Sequence, residues 1–209
     1  MVTLVRIKIK DLAVRSFMDP EIQLAINEGK NELVKIIRQA NENYFEETLS
    51  TTISATTKPN YSTLALPADF SELRDLRVTT SGLEDLTFQH VSQSDQRFRQ
   101  ALIDGGSYAS GAGVMFYDFY GESTMIFAPG ADIDIPIQLL YTKTIPDMTY
   151  PSSYCTGVPL DHSDFMVTWA ICECMRTAQD PRLSDYESKL DFQRESIINS
   201  VNTRQRKEP

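Results

Sequence analysis

The sequence predicts an α+β protein in which N- and C-terminal helices form a helical bundle, with a small antiparallel β-sheet inserted in the middle. Three observations predict it. Near the start, Ile22, Ala25, Ile26, Gly29, Leu33, Ile36, Ile37 and Ala40 recur at helical spacing on one stripe. The middle holds short runs rich in β-branched and aromatic residues, separated by Gly, Pro, Ser and Asp. Toward the end, Phe165, Thr168, Trp169, Cys172 and Met175 return to helical spacing. The expected division is residues 1–50 for the N-terminal helices and 51–150 for the β-rich insertion with one short helix. Residues 151–202 complete the bundle with C-terminal helices, and 203–209 form a flexible tail.

The 209 residues, 41% hydrophobic and 23% charged, suffice to bury a sizeable core. No run approaches the ~20 apolar residues that cross a membrane. Met1 to Lys10 interleaves basic with β-branched residues, unlike a secretory signal. Three cysteines, Cys155, Cys172 and Cys174, are an odd number in a chain that needs no staples, which predicts free thiols in a reducing compartment. The net charge of -9 opposes broad adhesion to nucleic acid, whose strength comes from cations displacing counterions at phosphates. The same charge suits a duplex that must slide past unbound.

In chain order, Leu4 to Phe17 is ambiguous. Val5, Ile7 and Ile9 alternate as in a strand, whereas Leu4, Ile7, Asp11, Leu12 and Arg15 fit a helix face. Asp19 is expected to cap the next helix, with Pro20 at its first position and Glu21 near the positive end of its dipole. Gly29 costs about 1 kcal/mol there against alanine, tolerable if it lets a neighbouring helix or subunit approach closely. Thr51 to Thr57 reads as a first strand or an extended arm. Leu64 and Leu66 alternate with Thr63 and Ala65 until Pro67 ends the strand; Asp69 is placed to cap the turn, and Phe70, Leu73, Leu76 and Val78 seek a core. Phe70 is expected to be buried beside Trp169. Leu86 to Val91 is another strand, and Ser92 with Asp95 opens a short helix from Gln93 to Leu102 that carries Phe98 inward.

The glycines between Asp104 and Gly113 lack the following lysine and the strand-loop-helix setting of a phosphate cradle, so a hairpin or subunit-contacting loop is expected. Val114 to Tyr120 and Thr124 to Phe127 flank Gly121-Glu122-Ser123 as a hairpin. Ile133 to Lys143 is the longest strand, with Ile133, Ile135, Ile137, Leu139 and Tyr141 on one face; Pro136, of the other parity, points to an edge or a bulge. A linker from Asp147 to Pro159 leads to a helix capped by Asp161 to Asp164. Asp180-Pro181 breaks it. In the last helix Leu183, Tyr186, Leu190, Ile197 and Val201 align, with Phe192 and Ile198 widening the face.

Catalytic chemistry finds little support. His90 and His162 are far apart in sequence, and Cys172 and Cys174 lie about 200° apart around a helix, so they cannot both face one ion. Cys155 and His162 could pair as nucleophile and base, but no orienting carboxylate or oxyanion loop accompanies them. Asp132 and Asp134 read as the solvated face of a strand. Phe116, Tyr117, Phe119 and Tyr120 could stack bases, yet Asp118 and Glu122 interrupt the run, and a protein interface is the simpler account. No catalytic residue, cofactor or metal is expected.

Leu66-Pro67-Ala68-Asp69-Phe70, followed by Leu73 and Arg74, resembles the signature of bacteriophage head-to-tail adaptor proteins, the neck subunits that dock beneath the portal. The long strand ending in Tyr141 resembles that family too, over roughly Pro20 to Val201. The resemblance favours helix for Leu4 to Phe17. It implies a structural protein of the virion neck, assembled in the host cytoplasm as a ring of twelve subunits that joins capsid to tail and continues the DNA channel. Its implied partners are the portal protein, a tail-side neck or tail protein, and genomic DNA passing without sequence-specific binding. Leu66, Pro67, Asp69, Phe70, Leu73 and Tyr141, with Trp169, form the motif and core. Portal docking is expected from about Asp191 to Pro209, through Phe192, Ile198, Arg204, Arg206 and Lys207, ordering on binding. The alternatives are a tail-completion or stopper protein of the neck, or a small acidic cytoplasmic enzyme or ligand-binding regulator.

Overall fold

A computed structural model describes residues 1–10, 16–56, 60–83, 85–104, 113–149 and 157–205. The helices are α1 (Val2–Ile9), α2 (Asp19–Ala40), α3 (Gln96–Asp104), α4 (Ser163–Thr177) and α5 (Leu183–Gln205), with a 3-10 turn at Leu160–His162. The strands are β1 (Glu46–Ile53), β2 (Ser62–Ala65), β3 (Phe70–Val78), β4 (Leu86–His90), β5 (Gly113–Tyr120), β6 (Thr124–Ala128) and β7 (Ile135–Lys143). The chain divides into two compact units: residues 1–45 with 145–209, and residues 46–144.

In the first unit, the apolar stripe of α2 is buried as its spacing predicts, with Ile22, Ile26, Leu33 and Ile37 fully enclosed. A Cβ added at Gly29 would meet Trp169 Cβ at 2.9 Å and Met166 Cα at 3.2 Å, so the glycine lets α4 approach α2 closely. Helix α4 is buried on nearly every side because α1, α2 and α5 all pack on it. Its sequence stripe therefore understates it: Met166, Val167, Ala170 and Cys174 are buried as well. Asp19 does not cap α2. Its carboxylate accepts from Arg6 Nε and Nη2 at 2.8 and 2.6 Å, and Glu21 caps instead by accepting the Met18 N–H at 2.6 Å.

One flank of α2 carries a polar row that the spacing did not mark. Gln23 and Asn27 both donate to the Met148 carbonyl, and Asn27 Oδ1 accepts the Met148 N–H. Lys30, 3% exposed, donates to the Ile145 carbonyl at 2.9 Å and to Asp147 at 2.5 Å. Together they clamp the returning chain onto the helix.

The second unit overturns the expectation of one small antiparallel insertion between terminal helices. Among the described residues it contains seven strands in two sheets, ordered β1-β7-β3 and β2-β6-β5-β4, besides α3, the short helix expected there. The physical reason lies in α3. A helical crossover between β4 and β5 lets those two strands run parallel, while the other pairings are antiparallel. The inner faces of both sheets share one core, including Ile53, Met115, Met125, Phe127, Ile137 and Leu139. Phe98 of α3 covers the outer face of the second sheet with Val91, Ala128, Phe116 and Ile126. Helix α3 begins at Gln96, three residues later than expected, because Asp95 is the residue that accepts the Arg97 N–H at 2.8 Å.

Strand β1 starts at Glu46, ahead of Thr51, since an edge strand with one solvated face can be polar. Pro136 is neither on an edge nor at a bulge. It lies in the central strand, where the Thr79 N–H donates to its carbonyl at 3.0 Å. Its missing N–H therefore faces the same side, beyond the last β3 residue Val78, and no interior ladder bond is lost. The expected loop between Asp104 and Gly113 falls on residues 105–112, outside the described residues.

Candidate functional site

The turn after β2 builds a site at one end of the sandwich. The Leu66 N–H donates to the Ser123 carbonyl, the Phe70 N–H to Pro67, and the Thr144 N–H to Asp69 at 2.6 Å. The Asp69 carboxylate accepts the Tyr141 hydroxyl at 3.2 Å, a contact across strands in place of the expected local cap. Burial, then this bond and the charges of Asp69 and Glu47, push the Tyr141 phenol up to about 12. Phe70 stacks on Tyr141 with centroids 5.7 Å apart and lies 5.9 Å from Phe119. Phe70 is only half-buried, packed against the sheet core, and Trp169 packs against the helical core.

Phe70 and Phe119 face an open groove of about 670 Å³. Its walls are Phe70, Leu73, Tyr117 and Phe119, with His90 beside them and Glu72 and Glu122 at its rim. His90 Nε2 lies 3.3 Å from Asp118 Oδ1, and its ring is 5.3 Å from that of Tyr117. Burial raises the Asp118 pKa, but the N–H groups of Gln93 and Phe119 and then His90 outweigh it and hold the carboxyl below its usual value.

Sequence reasoning named Phe70, Leu73, Tyr117 and Phe119 but not the groove, because nothing in the strand alternation reveals that β3 and β5 present them together. The helical unit offers a second surface. Phe192 of α5 is 73% exposed and Leu160 is 70% exposed; Phe192 borders a small depression with Asp161, His162, Phe165 and Gln193. Ile198 is partly buried against the helical core. Helix α5 continues through Thr203 to Gln205, residues expected to begin the flexible tail. The Arg204 side chain, Arg206 and Lys207 lie outside the described residues.

Chemistry beyond binding is poorly provided for. Burial pushes the Cys172 thiol up to about 11, far from a neutral-pH nucleophile. His162 Nε2 sits 3.2 Å from Ser200 Oγ, and Cys155 lies outside the described residues. Among the described residues no group of three or more His, Cys, Asp or Glu side chains could hold a metal ion. None of the described helices is long and apolar enough to cross a membrane.

The family model described as SU10 adaptor protein matches residues 1–208. The chain belongs to this family of phage head-to-tail adaptors. It is a structural phage adaptor of the virion neck, whose neighbours there are portal and tail proteins. No curated protein matches the chain.

Proposed function

We propose that this adaptor forms a closed ring of twelve subunits below the portal, joining capsid to tail and continuing the DNA channel. The match to the adaptor family over residues 1–208 carries the reading. Features of the molecule support it. The helical unit leaves Leu24, Leu160 and Phe192 at 62, 70 and 73% exposure, apolar groups that neighbouring subunits or the portal would cover. Residues 46–144 carry 6 Lys or Arg against 13 Asp or Glu, a net of -7 out of the chain's -9, so passing DNA is repelled and not held. Helix α5, through Phe192 and Ile198 and the basic run Arg204, Arg206 and Lys207, docks the portal. Roles for Leu66, Pro67, Asp69, Leu73 and Tyr141 are structural, shaping the turn on which the sheet's partner-facing end is built.

Native mass measurement with negative-stain imaging tests the ring. Twelve chains of 23.7 kDa give about 284 kDa in a closed heterologous assembly. A protein that is monomeric both alone and with its portal refutes the reading. Removing residues after Val201 tests the docking segment: Val201, 1% exposed, is the last buried residue among those described, so folding should survive while portal co-assembly falls. Unchanged co-assembly refutes the docking role.

A further inference from the structure

We infer that the groove between β3 and β5 receives an extended segment of a neighbouring neck protein that carries arginine or lysine beside apolar side chains. The inference rests on the adaptor reading for the existence of that neighbour and goes beyond it in assigning the surface and its chemistry. Four observations converge. The open groove, of about 670 Å³, has room for several side chains of a partner. Its walls are the half-buried rings of Phe70, Tyr117 and Phe119, which already stack on one another or on neighbouring rings and so pay little entropy on binding. None of the ten residues lining it is Lys or Arg. Glu122 at its rim is exposed and makes no hydrogen bond or ion pair among the described residues, and Glu72 reaches Arg74 only at 3.7 Å with its side chain 61% exposed.

Charge complementarity chooses the occupant. An acidic segment would face Glu72, Glu122 and a unit of net charge -7, and a purely apolar one would leave the Glu122 carboxylate unanswered. A guanidinium or ammonium can lie over Tyr117 or Phe119 while reaching Glu122, and its apolar neighbours fill the space against Phe70 and Leu73. The Leu66–Phe70 turn thus acquires a purpose beyond closing the sandwich: it sets Phe70 as one wall.

The test uses the full-length protein and two peptides, acetyl-Leu-Arg-Leu-Lys-Leu-amide and its counterpart with both basic residues replaced by glutamate. Amide NMR shifts map the site, and titration gives the affinity. The basic peptide is expected to bind, moving Phe70, Tyr117, Phe119 and Glu122, and the acidic peptide is not. Glu122→Gln, at an exposed position that leaves the fold alone, should weaken binding by about tenfold, and raising the salt from about 50 to about 300 mM should weaken it further. Equal affinity for the two peptides, no binding of either, or shifts confined to other surfaces overturns the inference. Ring formation and portal co-assembly of the Glu122→Gln protein are followed in parallel. A ring that ignores the basic peptide overturns the groove alone, whereas peptide binding by a protein that never joins the portal supports the groove and refutes the ring.

Discussion

Replacing Gly29 by alanine sets two effects of opposite sign against each other. Alanine favours the helical backbone by about 1 kcal/mol over glycine. Against this, the new Cβ would lie 2.9 Å from Trp169 Cβ, 3.0 Å from Trp169 Cγ and 3.2 Å from Met166 Cα. These atoms belong to the backbone of α4 or to the root of a side chain and cannot swing aside. Helices α2 and α4 must therefore part by roughly 0.5–1 Å, a gap that forfeits a quarter to a half of the attraction between the atoms facing it. Overpacking of this kind costs about 1–3 kcal/mol, and because the crossing lies in the most enclosed part of the helical core, near Ile26 and Leu33, the upper part of that range applies. The expected net loss is about 1–2 kcal/mol. Trp169 is the only tryptophan, so its fluorescence during urea unfolding reports this unit directly. With a slope of about 2 kcal/mol per M, the midpoint should fall by about 0.5–1 M at unchanged slope. Asn31→Ala, exposed on the same helix, serves as control and should gain about 0.5 kcal/mol. A Gly29→Ala protein more stable than its parent would refute the tight α2–α4 crossing.

Phe70→Ala should cost about 2 kcal/mol, less than a fully enclosed phenylalanine would, because the ring is half-buried yet stacked on Tyr141 and near Phe119; a loss above about 4 kcal/mol in chemical denaturation would contradict that exposure. Lys30→Ala should cost about 2–4 kcal/mol by stranding the buried Ile145 carbonyl, while Asp147→Asn, whose side chain is 65% exposed, should cost under about 1. Equal losses from the two would refute the carbonyl as the decisive partner. The Tyr141 phenol is raised from 10.0 to about 12, so its stabilisation is complete below pH 10 and disappears as pH climbs through about 12. Tyr141→Phe should remove that alkaline loss, read by denaturant midpoints across the window, and a profile unchanged by the substitution would remove Tyr141 as its source.

The helical periodicity of α2 was fully legible in the sequence, because a one-sided stripe and a glycine at the crossing leave a pattern that position alone can reveal. The hairpin of β5 and β6 was legible for the same reason, with Gly121 at φ 66° between them. What escaped depends on partners distant in sequence. The Lys30 clamp joins residues over 100 positions apart, and a lysine in an amphipathic helix ordinarily reads as surface. The parallel pairing of β4 with β5 follows from where α3 lies, and no local residue encodes it. Pro136 misled because the rule that excludes proline from central strands concerns which side its nitrogen faces, and that requires knowing where β3 ends. Phe70 and Leu73 were identified individually, but the groove they line with Tyr117 and Phe119 required strands of two different sheets to be placed together.

The helical unit is split by a segment of 99 residues, from Glu46 to Thr144, inserted between Phe45 and Ile145. Glu46 pairs with Thr142, so the chain leaves and returns at nearly the same point, and joining the two crossings directly would need only a short link. That arrangement imposes an order on biosynthesis. At about 5–20 residues per second, a ribosome needs roughly 7–30 seconds to advance from Gly29 to Trp169. During that interval the whole sheet unit emerges while the apolar stripe of α2 waits for α4, its largest covering surface. The nascent adaptor therefore passes through a stage in which its second half-built unit can finish before its first, with Ile22, Ile26 and Leu33 in need of temporary shelter.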